Sequence, residues 1–392
     1  MNHFGKKIGR WLILTLMLAI WSVTALAEEL PALARGVNLS HWLQYDGRQP
    51  VTIDDMSLIR KAGFDHVRIP VDPVYLGWNP DAIFINISQF NLLNRLDQAI
   101  SMALAADLEV ILDVHLQATV RDRIETDPVM QQAFLSFWQL LAMRYAHFPV
   151  PKLAFELLNE PQYYRAGGTK QWDQLQTKIV ASIRRHAPRH LLLLSGIQGG
   201  SIAGLLSMTP SPMVNVRYVF HFYEPHLFTH LNAPWEPFIS GPEGMMTGLT
   251  YPAKGTLDQI RLLPNANQSL VNEAVRNYLN EDWGAWRINQ EIAKVASWAK
   301  TYGVALSCTE FGALRRGPDA LSRQRWLNDI RSAMATVGIG WTIWDYADVF
   351  GIATAVDGWV TDDGAVIPKD PLNPHRQFDD LVLTVLGMTV KP

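Results

Sequence analysis

Residues 153–161 read Leu-Ala-Phe-Glu-Leu-Leu-Asn-Glu-Pro. The stretch begins as an apolar run of strand length and ends in Asn159 and Glu160, polar where a buried strand stays apolar. Pro161 then stops the ladder, because it has no N–H to donate. A carboxylate at the point where a strand leaves the core is costly unless it has a partner or a task. Alone, the triplet is equally consistent with a strand that has simply ended. The rest of the chain decides between the two.

Outward from this stretch, one rhythm repeats: a short β-rich run, a polar loop, an amphipathic helix. Strands are predicted at 35–40, 66–71, 109–115, 153–160, 191–195, 216–223, 304–310 and 339–344. Helices are predicted at 53–62, 88–108, 130–148, 171–186, 288–302, 320–337 and 378–386. The helical spacing of Leu92, Leu96, Ile100 and Leu104 is typical of them. The four leucines at 191–194 suit a strand buried on both faces. A long irregular stretch at about 224–285 is expected to be an insertion without regular structure, as functional lids and binding loops are. Eight strands alternating with helices, with no Gly/Ser-rich linker between them, predict an α/β fold. They close most simply as a (β/α)₈ TIM barrel, a single domain over 28–392 with the insertion after strand 6. A doubly wound open sheet is the alternative.

Composition sets bounds on partners. The 392 residues carry a net charge of −3 and are 48% hydrophobic. No basic stretch stands out, which argues against nucleic acid as a partner. Lys6, Lys7 and Arg10 precede an apolar run that ends in Ala25-Leu26-Ala27, the pattern of an export signal over residues 1–27. The mature chain is then expected in the periplasm or secreted, with no stable membrane insertion after cleavage. Cys308 is the single cysteine, so no intrachain disulfide forms. It is expected to fill the barrel interior on the same strand face as Glu310. The chain has 14 Trp, and those in loops offer flat apolar faces on which a sugar ring can stack. Trp42 and Trp235 follow strands 1 and 6 closely and are the first candidates, ahead of Tyr45, Trp78, Trp283, Trp286 and Trp359.

Polar residues gather at the C-terminal halves of the predicted strands: Arg68 on strand 2, His115 on strand 3, Asn159 and Glu160 on strand 4. His221 and Tyr223 end strand 6, Glu310 ends strand 7 and Trp344 ends strand 8. In a barrel these ends converge on one mouth, where active sites are built. Two glutamates there suggest paired-carboxylate chemistry. Glycosidic cleavage needs one carboxyl to protonate the leaving oxygen and another to act at the anomeric carbon. Their environments must therefore differ. Arg68 and Tyr223 are expected to hold Glu310 as a carboxylate, and its charge to raise the pKa of Glu160. Glu156, four residues before Glu160 and deeper, is expected to pair with an Arg or Lys.

The chain resembles glycoside hydrolase family 5, within the clan of retaining (β/α)₈ glycosidases that includes the cellulases. The resemblance rests on Arg-Gly-Val-Asn-Leu at 35–39, Val-Arg-Ile-Pro at 67–70, Asp-Val-His at 113–115 and Leu-Asn-Glu-Pro at 158–161. It continues through His-Phe-Tyr at 221–223, Thr-Glu-Phe-Gly at 309–312 and Trp-Thr-Ile-Trp at 341–344. It implies Glu160 as acid/base and Glu310 as nucleophile. Arg68, His115, Asn159, His221, Tyr223 and Trp344 are then the shell around the sugar being cleaved. The implied reaction is double displacement on a β-linked glucan or related oligo- or polysaccharide, without metal or cofactor. An exo-acting β-glucosidase or a transglycosylase would use the same residues. A non-catalytic carbohydrate-binding barrel would need only one of the two carboxylates. A metal hydrolase on His115, His221 and His226 lacks short fixed ligand spacing. Gly199-Gly200-Ser201-Ile202-Ala203 lacks the final glycine of a serine-hydrolase elbow. Linkage and oligomeric state are not legible.

Overall fold

The computed structural model describes residues 29–44, 49–81, 93–210, 212–235, 246–261 and 268–389. The predicted export signal and Tyr45 lie outside them. Eight strands form one closed barrel in chain order: β1 (Arg35–Asn38), β2 (His66–Val71), β3 (Glu109–Val114), β4 (Leu153–Glu156), β5 (Leu191–Ser195), β6 (Val216–Phe222), β7 (Leu306–Phe311) and β8 (Gly340–Ile343). Every neighbouring pair is parallel, including β1 with β8. Closure removes the edges an open doubly wound sheet would keep.

Around the barrel lie α1 (Ile53–Lys61), α2 (Leu93–Ala105), α3 (Ala118–Thr126), α4 (Pro128–Tyr145), α5 (Gly168–Arg184), α6 (Ile202–Leu206), α7 (His226–Thr229), α8 (Gln268–Asn280), α9 (Ala285–Tyr302), α10 (Ala320–Thr336) and α11 (Asp380–Val385). Local chemistry starts them. Thr52 and Asp55 form a capping box on α1, and Asp127, with Pro128 at the first turn, caps α4. Sequence periodicity missed α3, where Ile124 is the one buried residue and no apolar stripe exists to be read. The 224–285 stretch is also more regular than expected: α7, a 3₁₀ turn (Leu257–Gln259) and α8 lie within it. Val271, Val275 and Tyr278 are buried at helical spacing on α8, a signal obscured by the surrounding prolines and glycines.

Strand alternation sorts side chains into two environments. Val67, Ile69 and Val71 of β2, and Val110, Leu112 and Val114 of β3, face outward into the main core against the helices. The inward residues form layers. Ile111, Ala154, Leu191, Leu193 and Val219 make an apolar plug with Leu33 at the base. Arg68, Asp113 and Glu156 lie above it, all buried. Three buried helix tryptophans then fix the strand ends. Trp138 donates Nε1–H to the carbonyl of Leu157 (2.9 Å), Trp172 to Ser195 (2.8 Å) and Trp326 to Glu224 (3.0 Å). Part of the tryptophan content therefore serves carbonyls left over where β4, β5 and β6 end.

β7 departs from simple alternation. Phe220 pairs with Cys308 but His221 pairs with Glu310, so Thr309 is an extra residue in the ladder. The bulge turns two consecutive side chains, Thr309 and Glu310, into the barrel. Thr309 reaches Glu156 (3.3 Å) and Glu310 reaches Arg68 (2.6 Å). Cys308 thereby faces the opposite way, into the main core. The expectation that it shares the inner face with Glu310 is corrected, because period-two counting fails across a bulge.

Past β8 the chain adds four short strands: β9 (Ala353–Ala355), β10 (Trp359–Val360), β11 (Val366–Ile367) and β12 (Arg376–Phe378). β10 pairs with β11 and β9 with β12, both antiparallel. Among the described residues, no helix is long and apolar enough to cross a membrane.

Candidate active site

The centre of the mouth is one fully buried guanidinium. Arg68 donates Nε to Glu156 Oε2 (2.8 Å) and Nη2 to Glu156 Oε1 (2.9 Å), a two-point contact with the residue four positions before Glu160. Nη2 also reaches Asn159 Oδ1 (2.9 Å) and Asp113 Oδ2 (3.0 Å). Nη1 reaches Asn38 Oδ1 (2.9 Å) and Glu310 Oε1 (2.6 Å). One cation is shared by three buried carboxyls, which keeps the arginine charged. Its pKa is raised against the opposing effect of burial by Asp113, Glu156 and Glu310. The carboxyls bear the excess. Burial, only partly offset by Arg68, pushes Asp113 up to about 7 and raises Glu156.

Tyr223 donates its hydroxyl to the second oxygen of Glu310, Oε2, at 2.9 Å. Burial and the neighbouring Glu310 charge raise this phenol well above its ordinary range, so it stays a neutral donor. Both oxygens of Glu310 are thus hydrogen-bonded, one by each donor. On the other wall His115 Nδ1 lies 3.0 Å from Asp113 Oδ2, and its Nε2 lies 3.2 Å from Asn159 Nδ2. Burial drops the His115 pKa to about 4, so the neutral ring donates to Asp113 and accepts from Asn159. The Trp344 indole stacks on His115 at 5.8 Å and 23°.

Glu160 lies beyond the end of β4, not on it. Leu157 and Asn159 still hydrogen-bond sideways, to Leu193 O (3.3 Å) and Val114 O (2.8 Å), and Glu160 then takes φ 47°. This left-handed turn swings its carboxyl across the mouth to His221, whose Nδ1 lies 3.0 Å from Glu160 Oε1 and 3.5 Å from Glu310 Oε2. One ligating atom from each of Glu160, His221 and Glu310 falls within 4.8 Å of the other two.

A family model for cellulase, glycosyl hydrolase family 5, matches residues 27–349. The chain belongs to glycosyl hydrolase family 5. It is an O-glycosyl hydrolase of the retaining, cellulase-like kind. Endoglucanase 3 of Fibrobacter succinogenes is 28% identical over 334 residues, covering 82% of this chain and 50% of the relative. Endoglucanase C of Acetivibrio thermocellus is 26% identical over 328 residues, covering 79% of this chain and 90% of the relative. The chain therefore spans half the length of the first and nine tenths of the second. The crystal structure of endoglucanase Cel5A from Thermotoga maritima superposes with a TM-score of 0.67 at 22% identity, over 91% of this chain and 97% of that one, a likeness of fold.

Within this family 5 barrel, the environment of Glu160 differs from the one expected. Burial raises its pKa, but the hydrogen bond and charge of His221 outweigh that, and the net shift is downward. His221 moves the other way: burial lowers it, while Glu310 and the Glu160 hydrogen bond raise it further. The pair holds its shared proton on the imidazole. The expectation that Glu310 raises Glu160 is corrected, because an imidazole stands between the two carboxyls.

The aromatic candidates divide by burial. Trp42 is 6% exposed and packs in the main core, so it fills space and offers no open face to a sugar. Trp78, against Phe134 and Phe137, and Trp283, under Arg287, are likewise buried. Trp235 is 49% exposed and sits 6.4 Å from Phe350, which lies 6.0 Å from Tyr223. The pattern of strand-end polar residues missed Asn38 and Asp113. Asn38 also donates to the carbonyls of Thr309 (3.0 Å) and Ile343 (3.2 Å), tying β1 to the bulge. Both are polar residues at inward positions of otherwise apolar strands, the signal that singles out Arg68 and Glu156.

Proposed function

We propose that this enzyme cleaves β-linked glucan from within the chain by double displacement, with Glu310 as nucleophile and Glu160 as acid/base. The observation that carries the reading is the spacing of the two carboxyls about His221, within 4.8 Å between contributing atoms. Retaining glycosidases place these groups ~5–5.5 Å apart, whereas inverting ones leave ~6.5–9.5 Å for a water. Arg68 and Tyr223 each donate to one oxygen of Glu310 and hold it aimed, as a nucleophile requires. The Glu160–His221 pair holds one proton close to the leaving-group position. When the glycosidic oxygen approaches Glu160, that proton passes to it through the carboxyl, and in the second half-reaction Glu160 takes one from water. Asn159, oriented by Arg68 and His115, presents its amide to a sugar hydroxyl. Trp344 supplies the stacking face beneath the ring, and Trp235 one further out. Both relatives named above are endoglucanases, which supports attack within the chain. The Ala25-Leu26-Ala27 pattern supports export, placing this activity on polysaccharide outside the cytoplasm.

Incubation with a 2-deoxy-2-fluoro β-glycoside bearing a good leaving group tests the reading. The expected result is a mass gain of one fluoroglycosyl group located on Glu310, with loss of activity. Labelling elsewhere, or hydrolysis with inverted configuration, overturns it.

A further inference from the structure

The β10–β11 hairpin has no part in the machinery above, yet it is built into the mouth. Arg316 donates to the carbonyl of Asp362 (2.9 Å) and Arg315 to Gly364 (3.3 Å), both from the loop after β7. Gln49, from the loop after β1, donates to Val366 (3.4 Å). Ala365 belongs to a small apolar cluster with Ala233, Leu314, Val349 and Phe350, against which Tyr223, Trp344 and Ile367 also pack. The hairpin therefore rests on the same apolar support as the two aromatics of the reaction centre.

Cross-strand register orients its exposed residues. Trp359 pairs with Ile367 and Val360 with Val366. Directly paired residues in an antiparallel ladder project from the same face. Trp359 thus shares the face by which Ile367 meets the cluster, while Val360 projects away. Yet Trp359 keeps 51% of its surface exposed. A half-open indole thus lies on the side of the hairpin that meets the mouth. A flat, half-open apolar face suits a pyranose ring, whose C–H face is apolar. Trp235 reaches the same cluster from the loop after β6 through Phe350.

We infer that Trp359 is a sugar-stacking platform that, with Trp235, extends the binding surface beyond the ring being cleaved, so that this barrel grips a β-linked glucan chain of several units. The inference rests on the proposed glucanase reading for its ligand class. It does not require the assignment of catalytic roles.

The test is native gel electrophoresis in the presence of soluble mixed-linkage β-glucan, paired with kinetics on that polymer and on a short aryl disaccharide. Trp359→Ala is expected to weaken retardation about fivefold, the order of one aromatic contact. The polymer-to-disaccharide ratio of kcat/KM falls by a similar factor. Trp359→Phe retains most of both. Tyr302→Ala, an exposed aromatic on α9 at the far end of the barrel, serves as the control and changes neither. Equal retardation of the native chain and Trp359→Ala overturns the inference, as does an equal loss on both substrates. A native chain that is retarded but cleaves nothing sinks the glucanase reading alone. One that is not retarded at all sinks the stacking platform.

Discussion

His221 Nδ1 lies 3.0 Å from Glu160 Oε1, and this contact, not the distance between the two glutamates, sets where the proton that His221 and Glu160 share resides. The His221 pKa is raised and the Glu160 pKa lowered, so their mutual stabilisation has a defined window. The raised histidine contributes fully below its ordinary pKa of 6.5 and loses this as pH climbs through the raised value. The lowered glutamate contributes above its ordinary 4.5 and loses this as pH falls through the lowered value. The stability difference between the native chain and His221→Gln is expected to peak between those ordinary values and shrink on either side. Urea unfolding across pH reads it, and a difference still growing toward alkaline pH contradicts the pairing. In kcat/KM the alkaline limb of His221→Gln moves to lower pH, because the proton is then held by Glu160 alone.

Glu156 is a positioning residue. It accepts two hydrogen bonds from Arg68, which in turn holds Glu310. Glu156→Ala removes both acceptors from a fully buried guanidinium and is expected to cost about 3 kcal/mol by urea unfolding. Glu156→Gln keeps the shape and one acceptor and costs less. A fully stable Ala variant contradicts the account.

Gly36 is required by contact, not by backbone angle. A Cβ there meets the His66 ring at 2.1–2.5 Å. That ring is fixed between Asp65 Oδ1 (2.6 Å) and Thr342 Oγ1 (2.8 Å). Gly36→Ala is expected to lose about 1–3 kcal/mol through overpacking. The paired variant His66→Ala, Gly36→Ala should recover part of the loss specific to Gly36→Ala in a double-mutant cycle; strict additivity excludes the clash.

Trp344 rests on His115 at 5.8 Å while remaining partly open to the mouth. Trp344→Ala is expected to lower kcat/KM on β-glucan at least about tenfold, with Trp344→Phe retaining more. Unchanged kinetics in the Ala variant removes the residue from the binding surface.

Much of the barrel was legible because parallel strands buried on both faces read as apolar runs, and the helices between them carry a 3.6-residue stripe. The converging residues Arg68, His115, Asn159, Glu160, His221, Tyr223, Glu310 and Trp344 were legible for a related reason. Polar groups at the ends of such runs are expensive and therefore conspicuous. The helix over 118–126 was not, since it buries little. Neither was Trp42 as a core residue: an indole just after a strand reads the same whether it faces solvent or packs inward.

The sequence by itself determined the eightfold alternation, and the mouth at which the polar strand ends, Glu160 and Glu310 among them, meet. Tertiary structure alone decided the rest. The bulge at Thr309 chose which way Glu310 and Cys308 face, because ladder register depends on the neighbouring strand and not on local spacing. The left-handed turn at Glu160 brought its carboxyl to His221, and that partner reversed the direction of its pKa shift. Charge regulation acts through distances of a few ångströms, and residues far apart in the chain acquire such distances only when the barrel closes.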